Sequence, residues 1–291
     1  MQIFITGVKG FVGRELFSQC EKKGMQIIGA DIVDSDEKNY YKADITAKEI
    51  SKIIPDNTDA IIHLAALSSD PDCKNKAYKC FDLNVMGTLN LMEAAQKRNV
   101  KQFIFASTEW VYDNCTEKEI KNEDSLINIA NHKSEYAISK LVSESNLRQK
   151  YLHGFCPVTI LRFGIIYGPR KTNFSAVESL FYSVKTNDKV NVGSLKTGRC
   201  FIYISDIVTG IIKAIGLSGF NLLNLEGDKV ITLKDIIETS KKILDKNPEV
   251  VEQNPDNISL RNISNKKAKE ILSWVPKFDL EKGLRTLIRE T

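Results

Sequence analysis

Tyr136 and Lys140, in the stretch SEYAISK (134–140), stand four residues apart, which puts a phenol and an ammonium on one face of a helix. A neighbouring ammonium eases loss of the phenolic proton, so Tyr136 is a candidate to exchange a proton with an alcohol or ketone oxygen near neutral pH. Upstream, FIFASTEWVYD (103–113) carries Ser107 and Thr108 at the end of an apolar run, followed at once by Glu109 and Trp110. Either hydroxyl could hydrogen-bond the same substrate oxygen. Near the N-terminus, TGVKGFVG (6–13) spaces glycines at 7, 10 and 13 behind Ile3-Phe4-Ile5. In a strand-to-helix turn Gly7 can take a backbone conformation closed to other residues, Gly10 lets the main chain approach a pyrophosphate, and Gly13 lets the helix pack closely on the strand. The N-terminus of the helix begun by Phe11 and Val12 then faces the phosphates with unpaired N–H groups and a positive dipole end. Asp31 ends the next apolar run, 18 residues after Gly13, where its carboxylate would accept hydrogen bonds from an adenosine ribose. It would also repel a 2′-phosphate, with Asp34 adding to the repulsion, so NAD is favoured over NADP. A small hydroxyl, a phenol and a lysine beside a dinucleotide site make a carbonyl/alcohol redox centre, and an oxidised nicotinamide would ease the phenol's ionisation further.

These residues need a scaffold, and the chain supplies a regular one. Apolar runs at 2–6, 26–30, 60–64, 102–106 and 158–163 read as buried parallel strands, with amphipathic crossovers near 11–23, 74–97 and 134–152. The pattern predicts an α/β fold, a Rossmann-like doubly wound parallel sheet over residues 1–165. Gly168-Pro169 breaks that rhythm, and a smaller mixed α/β C-terminal lobe is expected over 166–291, with helices near 174–186, 233–245 and 279–290 and some segments returning to the core. The polar stretch 113–133 reads as a surface loop. Phe174, Phe181 and Tyr182 fit a helix face better than a base-stacking box.

Composition excludes several classes of function. With 291 residues, 42% hydrophobic, the chain can bury a full core. Its 41 basic and 37 acidic side chains are interspersed, unlike the basic stripe of a nucleic-acid binder. No apolar run approaches a membrane span, and the start leaves no room for a signal peptide. The six cysteines form no Cys-x-x-Cys pair and no Cys/His cluster, so no metal site is expected and reduced thiols in the cytoplasm fit best.

The chain resembles the extended short-chain dehydrogenase/reductases, the NAD-dependent epimerase/dehydratase group acting on nucleotide sugars. The resemblance spans nearly all of it through ordered matches: TGVKGFVG, Asp31, ADI (43–45), HLAA (63–66), NVMGT (84–88), STEWVY (107–112), YAISK (136–140), LRFGIIYGPR (161–170), GRCFIYISDI (198–207) and SWVPKFDLEKGL (273–284). It implies cofactor contacts from Gly7, Gly10, Phe11, Val12, Gly13, Asp31, Asp44, Ile45, Leu64, Ala65, Ala66, Asn84, Ser107, Phe163 and Ile165. Asp44 and Ile45 would meet the adenine, Ala65 would line the cofactor channel, and Asn84 would support the active-site helix. Thr108 is then the catalytic hydroxyl and Tyr136 the acid/base, while Lys140 tunes Tyr136 and holds the nicotinamide ribose. Substrate contacts fall to Thr108, Glu109, Trp110, Asn173 and Arg199, with Arg199 on a diphosphate. A homodimer is also implied.

Departures from the family pattern narrow the chemistry. Sugar 4,6-dehydratases of this kind carry an Asp-Glu pair after the catalytic threonine, whereas Glu109 is followed here by Trp110, and the related decarboxylases also expect an acid at 110. Gly164 stands where many relatives have a substrate-binding asparagine, and Asp113 replaces a glycine. His63, inside the HLAA match, reads as structural rather than as a base. The expectation is an NAD-dependent nucleotide-sugar 4-epimerase working by hydride transfer at C4. The alternatives are an NDP-4-keto-sugar reductase or NDP-sugar 4-dehydrogenase and, more remotely, a non-catalytic dinucleotide-sensing protein.

Overall fold

A computed structural model describes residues 1–112, 114–116 and 119–288. The apolar runs form β1 (Gln2–Thr6), β2 (Gln26–Asp31), β4 (Ala60–His63), β5 (Phe103–Thr108) and β6 (Val158–Phe163), with a short β3 (Tyr40–Lys42) at the edge. Together with the strand Phe220–Leu225 they make one seven-stranded sheet, ordered β3-β2-β1-β4-β5-β6 with Phe220–Leu225 outside β6. The pairs β1/β2, β1/β4, β2/β3 and β4/β5 are parallel, and Ile5 lies between Gly29 and Ile62. Every residue of β4, β5 and β6 is buried, because helices cover both faces of a parallel sheet, and their sequences therefore run continuously apolar. The strand order reverses between β1 and β4. Ligands of such sheets lie beyond the strand ends at that reversal, and both the glycine turn and the HLAA segment start there.

Two compact units are distinguished. The first comprises residues 1–111, 126–162 and 208–223, and the second residues 112–125, 163–207 and 224–291. In the first, Phe4, Ile61, Phe103, Phe105 and Ile160 of the sheet pack with Leu91, Met92 and Leu147 of the crossovers. In the second, the helices Ala176–Thr186, Leu233–Leu244 and Leu280–Leu287 pack on one another through Phe181, Ile236, Ile237 and Leu284, all fully buried. Two of these helices start with capping boxes, Ser175 with Glu178 and Thr232 with Asp235.

Some elements differ from the sequence reading. The crossover expected over 74–97 is helical as Ala77–Phe81 and Gly87–Lys97, joined by a π-helical turn at Asp82–Met86. The strand expected at 102–106 runs to Thr108, so Ser107 and Thr108 are strand residues. Among the elements that escaped the pattern, β3 has three residues, Phe220–Leu225 (FNLLNL) is interrupted by asparagines, the helix Ile204–Ala214 follows a two-residue strand without a turn signal, and the helices Ile50–Ile53, Asp70–Cys73 and Lys266–Leu272 are short. Residues 289 and 290, at the end of the last expected helix, lie outside the described residues, as do Thr291 and Asp113. Among the described residues no helix is long and apolar enough to cross a membrane, and no group of three metal-ligating side chains occurs.

Candidate active site

The three glycines of the turn meet three different constraints. Gly7 has φ +71°, and a Cβ there would lie 2.6 Å from Ala65 N. A Cβ on Gly13 would lie 2.2 Å from the Gly7 carbonyl, so the helix Phe11–Lys22 can seat against the turn only with glycine at 13. At Gly10 the nearest atom is the Gly7 carbonyl at 3.2 Å; the residue is exposed, and a side chain there would fill the cradle in front of the helix N-terminus. That helix has no side-chain cap and no acid in its first turn. The turn therefore fits a dinucleotide pyrophosphate.

Asp31 is held at the end of β2 by the main chain. Its Oδ2 accepts from Lys9 N–H at 2.9 Å and its Oδ1 from Ile32 N–H at 2.8 Å. Asp34, expected to add repulsion, is paired with Lys42 at 2.7 Å, and that contact offsets its charge. Asp44 closes its own turn by accepting from the N–H and hydroxyl of Thr46. Ile45 is buried and packs toward Gly87, where a Cβ would come within 2.7 Å of its Cδ1. Leu64, Ala65 and Ala66 are half-buried beside the glycine turn, with Ala65 N–H donating to Thr6 Oγ1 at 3.3 Å.

His63 is structural, and its tautomer follows from its neighbours. The Thr88 hydroxyl donates to the Asn84 carbonyl at 2.7 Å, so it must accept from His63 Nε2–H at 3.0 Å. Nδ1 is then the acceptor for Thr6 Oγ1 at 2.8 Å. Burial, with a smaller contribution from Lys140, pushes the imidazole down to about 3, and it stays neutral at physiological pH. Asn84 sits in the π turn. Its side chain accepts from Leu67 N–H at 2.8 Å and donates to Leu67 O and Ser139 Oγ, each at 3.0 Å, which ties the loop after β4 to the helix Glu135–Leu152.

That helix starts at Ser134, whose hydroxyl accepts from Ala137 N–H, and it buries Tyr136, Ser139, Lys140, Ser143 and Glu144. The Thr108 hydroxyl stands near the Tyr136 phenol and favours its ionised form, and Trp110 N–H donates to Thr108 Oγ1 at 3.2 Å. The Tyr136 ring packs with Cys73, Cys80, Leu67 and Trp110. Burial pushes the phenol up to about 12, and the nearby Thr108 hydroxyl only partly offsets this. Lys140 Nζ lies 4.7 Å from the Phe105 ring centroid and 6.0 Å from that of Tyr136. Burial pushes its ammonium down to about 8 against the nearby Cys80, Glu144 and Cys73.

Ser107, expected at the substrate or cofactor, donates its hydroxyl proton to Glu144 Oε1. Glu144 also accepts from Arg162 Nε at 3.0 Å and Nη2 at 2.6 Å, forming a buried ion pair behind β5. Sequence reasoning missed Glu144, although it stands four residues beyond Lys140 and so on the Tyr136 face of the helix.

Of the remaining expected site residues, Phe163, Ile165, Asn173 and Arg199 belong to the second unit and Glu109 to the first. Phe163 is buried, and Ile165 accepts from Ile202 N–H through its carbonyl. Asn173 is exposed with φ +55°. Arg199 Nη1 donates to the carbonyls of Gly198 and Ser259, and Nη2 to Ser259 Oγ, each at 2.7 Å. Its guanidinium therefore staples two chain segments, whatever else it meets. Glu109 is fully buried, and Glu226 fills the place of a side chain at 164: a Cβ on Gly164 would stand 2.1 Å from Glu226 Oε2.

A strand-order reversal fitted with a glycine turn, and a Thr-Tyr-Lys constellation in the same unit, define a dinucleotide-dependent oxidoreductase-type site. The model of the NAD dependent epimerase/dehydratase family matches residues 3–220, and the chain belongs to that family of nucleotide-sugar enzymes. It is 26% identical to a UDP-glucuronate 4-epimerase of Thermodesulfobacterium geofontis over 98% of this chain and 94% of the relative. It is also 26% identical to a UDP-N-acetyl-alpha-D-glucosaminuronate decarboxylase of Bacillus cytotoxicus, over 98% and 96%. In fold it is similar to MoeE5 in complex with UDP-glucose and NAD, with TM-score 0.88 and 21% identity over 99% of this chain and 97% of the other. A UDP-glucose 4-epimerase of Thermotoga maritima with UDP-glucose gives TM-score 0.86 and 24% identity over 99% and 97%.

Proposed function

We propose that the protein is an NAD-dependent 4-epimerase of nucleotide-activated sugars. The observation that carries this reading is the placing of buried Tyr136 and Lys140 on one helix face, with Thr108 at the end of β5, in the unit that also carries the glycine turn. NAD would lie along Gly7, Gly10 and Gly13 with its adenosine ribose at Asp31, and when bound it supplies reversible hydride acceptance. Thr108 orients the C4 oxygen of the sugar, and Tyr136 takes its proton and later returns it. Lys140 keeps a positive charge near the phenol. Arg199 is proposed, from the family resemblance, to meet the diphosphate.

Trp110 separates this reading from dehydration and decarboxylation, since an indole packed on the Tyr136 cluster has no acidic proton to transfer at the place where those enzymes are expected to have an acid. The six cysteines are free thiols, in keeping with the proposed cytoplasmic setting. A homodimer is proposed from the family resemblance, and light scattering tests it. The deciding experiment incubates the protein with UDP-glucose and with UDP-glucuronate in the presence of NAD and follows the sugar by proton NMR. Conversion of one of them to its C4 epimer without net NADH is expected. Stoichiometric NADH or released carbon dioxide would overturn the reading.

A further inference from the structure

Lys9 lies inside the glycine turn, between Val8 and Gly10, and its side chain turns toward the end of β2. Its main-chain N–H holds Asp31, while its Nζ is paired with Glu37 Oε1 and donates to Ser35 Oγ at 2.8 Å. The same ammonium stands 4.7 Å from the Tyr40 ring centroid, and the Tyr40 hydroxyl donates to the Val33 carbonyl. The segment 32–39 is thereby fastened across the turn from both ends. The Lys9 side chain is 13% exposed, against 60% for Glu37. A cation suited to a 2′-phosphate is thus already built in beside the carboxylate expected to meet the ribose, and a second carboxylate occupies it. Asp34, the other acid of the segment in an ion pair, is engaged by Lys42.

We propose that Glu37 is a specificity-determining residue: by holding Lys9 it leaves the ribose end of the site net negative and so rejects NADP. The local charge runs as Asp31 and Glu37 against Lys9. Removing the Glu37 charge leaves Asp31 and Lys9 balanced and releases an ammonium that can turn to a phosphate. The inference rests on the cofactor reading above and adds a residue to it, because Asp31 alone would leave Lys9 available.

Titration calorimetry with NAD⁺, NADP⁺, AMP and adenosine 2′,5′-bisphosphate tests it on the wild type, Glu37→Gln, Glu37→Ala and the double variant Lys9→Met/Glu37→Gln. Thermal melts confirm that each variant is folded. Both single variants should bind NADP⁺ and the bisphosphate about tenfold more tightly than wild type, with NAD⁺ and AMP changed by less than about threefold. The gain should vanish in the double variant, since it needs the lysine. Unchanged NADP⁺ affinity in both single variants, or an equal gain in the double variant, overturns the inference while NAD⁺ binding by the wild type leaves the cofactor reading standing. A wild type that binds neither dinucleotide overturns both.

Discussion

Lys140 Nζ donates to the main-chain carbonyl of Ala106 at 2.8 Å, so the helix that carries Tyr136 is pinned to β5 one residue before Ser107 and two before Thr108. The lysine is 3% exposed, and burying its charge has a cost that depends on pH. Its folded value of about 8 lies below the usual 10.5, so between the two the unfolded chain binds more protons and stability rises with pH. Relative to Lys140→Met, the wild type should therefore carry the full cost below about pH 8 and gain up to about 3 kcal/mol by pH 10.5. Urea melts of both proteins at pH 7.5 and 10 measure the gap. A gap that does not change with pH would show that the lysine is not perturbed.

Tyr136→Phe removes a single positioned proton carrier. Turnover of the nucleotide sugar should fall by about 10²- to 10⁴-fold while NAD binding persists. Single-turnover kinetics beside calorimetry separates the two effects, and a near-normal kcat would remove Tyr136 from the mechanism.

His63 gives stability a pH dependence that an exposed histidine would lack. With the folded value near 3 and an unfolded value near 6.5, the unfolded chain takes up the proton first, and stability is lost as pH falls through that window. The loss should approach about 1.4 kcal/mol per pH unit, and His63→Gln should lack this contribution. Denaturant midpoints of both proteins between pH 7 and 4.5 provide the comparison, and parallel slopes would argue against a neutral buried imidazole.

Gly164→Asn, which restores a residue many relatives carry, should destabilise this chain because its Cβ would collide with the Glu226 carboxylate. Overpacking of this kind costs about 1–3 kcal/mol. Adding Glu226→Ala should recover part of the loss in thermal melts, which an unrelated defect at 164 would not allow.

No 4-keto-6-deoxy sugar should form from a nucleotide hexose. Elimination of water needs a base at C5 and an acid for the leaving hydroxyl, and Trp110 supplies neither. Growth of the product's absorbance in alkali would contradict this.

The core of the architecture was legible because its signals are local. Continuous apolar runs gave the inner strands, the spacing of Gly7, Gly10 and Gly13 gave the turn, and the four-residue spacing of Tyr136 and Lys140 gave the helix face. What stayed hidden depends on tertiary partners. The proton of Ser107 goes to Glu144 because Arg162 brings the carboxylate behind β5, and the charge of Asp34 is offset by Lys42 across a strand edge. Helix spacing places Lys140 near Tyr136 but says nothing of burial, which pushes the phenol up.

The π turn at Asp82–Met86 ties the constellation to chain length as well as to residue type. Gly87 N–H reaches back five residues to the Asp82 carbonyl, so this turn holds one residue more than an α-helical path would need. Losing one residue here would let both flanks join as ordinary helix, each residue advancing by about 100° around the axis. Such a deletion would spare the hydrophobic faces on either side while swinging Asn84 away from Leu67 and Ser139. Between positions 82 and 86, a shift in reading of the helix by a single residue separates a folded protein from one whose loop and acid/base helix are still fastened together.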